Sequence, residues 1–129
     1  MAKNILRYRR GGWNEDETVQ LIKGKSTMYA VIFRAKIAQT DELYFQTAGR
    51  MRELACGKYG CLEFVSTMEG KEEIAISYWE TEQQLLNWKQ DPEHVKAQEQ
   101  GKTRWYESYS VEVCRVERAY SGARKLAPT

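Results

Sequence analysis

Hydrophobic and polar positions change period several times along this chain, and each change marks an element. The stretch "MYAVIFRAKI", residues 28–37, has the β-branched and aromatic content of a strand. Alternation puts Tyr29, Val31, Phe33, Ala35 and Ile37 on one face and Ala30, Ile32, Arg34 and Lys36 on the other. The period then becomes helical in "TDELYFQTAGRMRELA", where Tyr44, Ala48, Met51 and Ala55 recur at spacings of 4, 3 and 4 with Leu54 beside them. Thr40 or Asp41 can cap this helix, since a short polar side chain accepts from its free first-turn N–H groups. Acidic Asp41 and Glu42 suit its positive end, and Gly57 and Gly60 close it.

Two further strands follow, "CLEFVSTM" and "EEIAISYW", joined by a hairpin at Glu69-Gly70-Lys71. A second helical region opens at the capping residue Thr81 with "TEQQLLNWKQ". Pro92 interrupts it, having no N–H to donate, and starts a new helix, "PEHVKAQEQGKTRWYES", capped by Asp91. The last strand is "YSVEVCRVERAY", with Val111 and Val113 opposed to Cys114 and Val116. Residues 1–27 hold no such period and are expected to be an irregular arm anchored by Trp13, with Val19, Leu21 and Ile22 in a short strand or turn. Residues 28–120 form the domain, and 121–129 a frayed tail.

The order βαββαβ is the split βαβ, or ferredoxin-like, α+β arrangement: an antiparallel sheet with its helices on one face. Neither strand face is plainly polar, because Ile32 opposes Phe33, and Ile74 and Ile76 oppose Ala75 and Trp79. A sheet apolar on both sides calls for cover on both, and a second copy of the chain is the economical cover for the helix-free side. A homodimer is therefore expected. So is one domain, from 129 residues.

Charge narrows the partners. A net charge of +2, with acidic and basic residues interleaved, gives no case for nucleic acid, and no apolar run approaches the roughly 20 residues of a membrane span. The basic start lacks the apolar stretch of a secretory signal. Cys56, Cys61 and Cys114 cannot all pair in one chain and read as reduced thiols of a cytoplasmic protein. With one histidine and no Cys-x-x-Cys pair, no metal site is expected.

That histidine, His94, stands among tryptophans. At 100° per residue His94, Gln98, Gly101 and Trp105 share one side of the third helix. One reading is a pocket walled by Trp79, Trp88 and Trp105, with His94 and Gln98 as its polar groups, suited to a flat aromatic ligand. A neutral imidazole there could accept a proton from a phenol or donate a hydrogen bond to it. Tyr106 and Tyr109 could donate to a quinol oxygen, Arg34 could meet an anionic ligand, and Tyr44 is a further substrate-facing candidate. The competing reading makes the tryptophans core and gives His94 one internal hydrogen bond. Gly101 inside a helix costs about 1 kcal/mol relative to Ala, so a close approach there should compensate.

These residues resemble a known family. Tyr78–Glu80, Trp88–Lys89, Glu93–His94, Ala97–Gln98, Gly101, Trp105–Tyr106 and residues 113–120 are similar to the pattern of antibiotic biosynthesis monooxygenase (ABM) domains, and "FQTAGRMRELA" fits its first half. The resemblance covers about residues 28–120 and implies a dimeric α/β barrel. It implies cofactor-free oxidation of a quinol or polycyclic phenol by molecular oxygen. The residues expected to serve it here come from this chain's own pattern rather than from the family: His94 as base or orienting donor, Gln98 and Tyr106 assisting, and the three tryptophans stacking on the substrate. Haem-degrading relatives carry an Asn on the first strand, a Trp at the position of Trp88 and a His ten residues beyond it. Here that last position is Gln98 and the strand lacks Asn, so the resemblance points away from haem. A small-molecule binder or sensor without turnover is a second function compatible with the same cleft, and a structural role limited to dimerisation is a third.

Overall fold

The computed structural model describes residues 28–124 in full and the backbone of Asn4–Arg9. Its strands are β1 (Asn4–Arg9), β2 (Tyr29–Ile37), β3 (Glu63–Glu69), β4 (Glu72–Trp79) and β5 (Tyr106–Arg115). Its helices are α1 (Glu42–Gly57), α2 (Glu82–Gln90) and α3 (Pro92–Gln100). The sheet runs β1-β3-β4-β2-β5, every pair antiparallel. The four strands β3-β4-β2-β5 are the ferredoxin-like core.

Local chemistry explains the boundaries. Gly70 turns the β3–β4 hairpin at φ 60°, a conformation glycine adopts without steric cost. Asp41 caps α1 by accepting from the Tyr44 N–H at 2.7 Å. Thr81 and Gln84 form a reciprocal capping box on α2, and Asp91 caps α3 ahead of Pro92. The helices cover one face of the sheet. Leu54, Ala55 and Cys56 of α1 and Leu85 and Trp88 of α2 pack with Val31, Phe64, Ala75 and Trp79 in the main core. On the helix-free face Ile32, Val65 and Ile76 are half-buried and Ile74 is 38% exposed.

Three stretches differ from the sequence expectation. Residues 4–9, expected within an irregular arm, form an edge strand in register from Asn4↔Met68 to Arg9↔Glu63. "NILRYR" is too short and too charged to announce a strand by itself; the free edge of β3 supplies its hydrogen bonds. Trp13, Val19, Leu21 and Ile22 lie outside the described residues. The third helix stops at Gln100, and Gly101–Trp105 make one wider, π-type turn closed by the Tyr106 N–H on the Gly101 carbonyl. The last strand accordingly starts at Tyr106, earlier than expected, and ends at Arg115.

Gly101 accounts for that turn. A Cβ at this position would lie 2.5 Å from Cε2 of Tyr106, so only glycine lets that ring fold back over the turn. The wider turn also takes Trp105 off the His94–Gln98 stripe. It delivers the indole to a second core cluster with Ala35, Ile37 and Tyr44.

Candidate functional site

Between the helices and the sheet lies a cleft of about 310 Å³. Its floor comes from the helix-side rows of the strands: Val31 and Phe33 on β2, Phe64 and Ser66 on β3, Ala75 and Ser77 on β4, and Val111 on β5. Met51 and Arg52 of α1, Trp88 and Lys89 of α2, and His94, Ala97 and Gln98 of α3 form the roof, with Tyr106 and Tyr109 at the β5 side. The walls are mainly apolar with a few placed polar groups, the usual make-up of a small-molecule site.

Of the residues singled out in the sequence, His94, Gln98, Tyr106 and Trp88 line this cleft together. Trp79 is fully buried in the main core, where its Nε1 donates to the Ser77 hydroxyl at 2.8 Å. Trp105 is 2% exposed in the second core cluster, its Nε1 donating to Asp41 Oδ1 at 3.2 Å. Neither lines the cleft. The expected wall of three tryptophans is therefore Trp88 alone at the cleft, with Trp79 behind it at 5.4 Å between ring centroids. Arg34 is exposed on the helix-free face and does not reach the cleft. Tyr44 sits beneath the lining, its hydroxyl donating to Glu73 Oε2.

His94 is held edge-on against Trp88, with ring centroids 4.3 Å apart at 73°. Trp88 is fixed in turn by its Nε1, which donates to the Met51 carbonyl at 3.1 Å. The His94 Nδ1 is sealed from solvent and has no hydrogen-bond partner among the described residues. A sealed N–H without an acceptor is rarer and costlier than a sealed acceptor without a donor. On those grounds Nε2 is the better place for the proton of the neutral ring. Burial pushes the His94 pKa down to about 4, with the Lys89 charge adding to the effect and Asp91 opposing it.

That depression has a measurable consequence. The folded ring stays neutral while the unfolded one protonates from about pH 6.5 downward, so stability present above that pH is lost between about 6.5 and 4. A shift of this size corresponds to at most about 3 kcal/mol. Asp91 and Glu93, whose pKa values are lowered by Tyr59 and Arg50, act in the more acidic part of the range. Glu73, raised by burial, acts with the opposite sign. The comparison with His94→Gln isolates the histidine: the wild type is expected to lose its part of the stability from pH 7 to 4 relative to the variant. Denaturant melts that stay parallel over this range would contradict it.

Glu73 and Arg52 are among the cleft residues that carried no expectation of a site role from sequence. Glu73 lines the cleft at the start of β4, and Arg52 lines it from α1. For Glu73 a signal existed: strict alternation puts it on the same face as Ala75, Ser77 and Trp79, where a carboxylate is out of place. Arg52 follows the Met51 of the apolar stripe and reads as a surface residue. Among the described residues, no cluster of His, Cys, Asp and Glu is placed to hold a metal ion, and no helix is long and apolar enough to cross a membrane.

No family model matches the chain. It is 40% identical over 92 residues to the uncharacterized protein YqjZ of Bacillus subtilis, spanning 70% of this chain and 80% of that protein. Among solved structures it is similar to one from Nitrosomonas europaea assigned to the antibiotic biosynthesis monooxygenases, with a TM-score of 0.61 at 13% identity over 74% of this chain and 95% of that one. It is also similar to SnoaB of Streptomyces nogalater, a cofactor-independent oxygenase, with a TM-score of 0.59 at 10% identity over 81% and 100%. A dimeric protein of ferredoxin-like fold from Bacteroides fragilis gives 0.53 at 15% identity over 72% and 100%.

Proposed function

The chain belongs to the family of Bacillus subtilis YqjZ, on the fold of the antibiotic biosynthesis monooxygenases, and from that premise we propose that its cleft oxidises an electron-rich phenol or quinol with molecular oxygen and no bound cofactor. The observation that carries this reading is His94. It is a neutral ring in an apolar cleft, braced on Trp88, with Nε2 left as its donor. Such a donor stabilises the oxyanion of an ionising phenol, and the Lys89 charge in the same lining works in the same direction. The phenol proton passes to solvent and the ionised ring passes an electron to oxygen. The two radicals combine at a ring C–H carbon, and the protonated peroxide loses water, leaving one oxygen atom as a ring carbonyl with all electrons supplied by the substrate. Trp88 offers an apolar edge to the substrate, and Gln98 and Tyr106 supply further polar contacts. At a pKa of about 4 the imidazole is a poor proton acceptor for a phenol near 10, so its role here is donor rather than base.

The same weakness favours a second reading, binding without turnover. Oxygen-electrode measurements on haem-free, chelator-treated protein with a naphthohydroquinone separate the two. Uptake well above autoxidation supports oxidation, whereas saturable binding with no uptake leaves a binder. Gln98 stands at the position where haem-degrading relatives have histidine, so this activity is expected in protein with no Soret absorbance.

The assembly proposed is a cytoplasmic homodimer. The helix-free face leaves Ile32, Val65, Ile74 and Ile76 partly exposed, and β5 is an edge strand of the sheet. A second copy covers that surface and protects a strand edge in one step. Three cysteines outside any disulfide, two of them buried, suit a reducing compartment. Light scattering is expected to give twice the 15.1 kDa chain mass at micromolar concentration, and a stable monomer would count against this assembly.

A further inference from the structure

His94 and Glu73 lie at two separated places in the cleft. Trp88 and His94 stand over the row of Val31, Phe64 and Ser77, while Glu73 lies in the row of Ala35 and Met68. Ser77 and Glu73 are four residues apart on β4, about 13 Å at about 3.3 Å per residue. Between them the floor is Phe33, Ala75 and Val111, with the small hydroxyl of Ser66 beside Ala75. Helix α1 runs along the same axis. Met51 meets Trp88 at one place, and seven residues earlier Tyr44 meets Glu73 at the other.

Arg52 serves the Glu73 end. Helical side chains lean toward the N-terminus, and the Arg52 guanidinium accordingly lies over Gly49, with Nη2 at 3.9 Å from where a Cβ there would be. Its charge acts on Glu73, on Tyr44 and, more weakly, on Glu53. Yet Nε is sealed from solvent without a hydrogen-bond partner, and the guanidinium makes no ion pair with a described residue. Glu73 is the acidic side chain of the lining, and the Tyr44 hydroxyl already occupies it. Burial raises the Glu73 pKa, which weakens it as a counterion. Lys89 and Lys102 are the other cations of the cleft lining.

We propose that the ligand is an elongated aromatic acid, its ring hydroxyl at His94 and its carboxylate on Arg52. The hydroxyl end rests on the oxidation reading above; the carboxylate end rests on Arg52 alone. A guanidinium pairs with a planar carboxylate through two parallel hydrogen bonds, and a neutral amide of the same shape cannot reproduce them.

Isothermal titration with three probes tests this: a hydroxybiphenyl carboxylic acid with its groups at opposite ends, the primary amide of that acid, and the shorter para-hydroxybenzoic acid. The wild-type protein is expected to favour the long acid over its amide by about tenfold or more. The short acid, unable to span both ends, is expected to bind about as weakly as the amide. Arg52→Met, which keeps the apolar stem, is expected to lose the preference of acid over amide while melting within a few degrees of wild type. Equal affinity for acid and amide in the wild type, or a preference that survives Arg52→Met, would overturn the proposal. So would failure of the long acid to bind at about millimolar concentration. The wild-type comparison of acid and amide stands even if the variant does not fold. Oxygen uptake keeps the two readings apart. An acid held through Arg52, on a protein inert toward all quinols, removes the oxidation and leaves the anchor; equal turnover of acidic and neutral quinols does the reverse.

Discussion

His94→Phe is expected to lower quinol-dependent oxygen uptake by about a hundred- to a thousand-fold, the usual loss when one preorganised donor to an oxyanion is removed. Phenylalanine keeps a flat ring beside Trp88 and takes away both nitrogens, including the Nδ1 that has no partner. Folding is therefore kept, and the variant is expected to melt no lower than wild type at neutral pH. His94→Gln supplies the contrast. Its amide N–H can stand in for Nε2–H, so this variant is expected to retain a larger share of turnover than His94→Phe. Were the imidazole acting as a proton acceptor, Gln would be as damaging as Phe. A phenylalanine variant with full turnover on a substrate of the wild type would reduce His94 to packing.

Trp105→Ala is expected to do the opposite: to cost about 3–5 kcal/mol of stability and leave ligand affinity, per folded molecule, nearly unchanged. The indole is 2% exposed, meets the Tyr44 ring edge-on with centroids 5.4 Å apart, and donates to Asp41. Its removal empties the second core cluster, on which Phe33 and Tyr106 of the lining rest, but takes no lining residue from the cleft. Asp41 keeps its other partners, the Tyr44 N–H and Arg104. For a domain of this size the melting temperature should fall by roughly 10 °C or more. A variant that melts like wild type but no longer binds the cleft ligand would put Trp105 back in the site.

The contrast between these two residues shows what the sequence carried. Strand and helix periods placed β2, β4, α1 and α2 closely, because burial imposes its period on any amphipathic element. Caps at Asp41, Thr81 and Asp91 were readable because few side chains can satisfy a helix start. The π-type turn was not. Its cause is the contact between Gly101 and the Tyr106 ring, and a rotation of one side chain off a stripe leaves no periodic trace. Extrapolating the α-helical stripe through Gly101 therefore put Trp105 on the wrong side, although His94 and Gln98, before the turn, fell as the period required. β1 was missed for a related reason: its stability comes from the β3 edge rather than from its own residues. Arg52 became a candidate only when the fold showed it lining the cleft beside Glu73.

An anaerobic crystal structure with a quinol bound tests the central claim most directly. The account expects the ring in the cleft against Trp88, with one oxygen within hydrogen-bonding distance, about 3 Å, of His94 Nε2. A quinol bound elsewhere, such as the helix-free face of the sheet, with the cleft closed over His94, would contradict it.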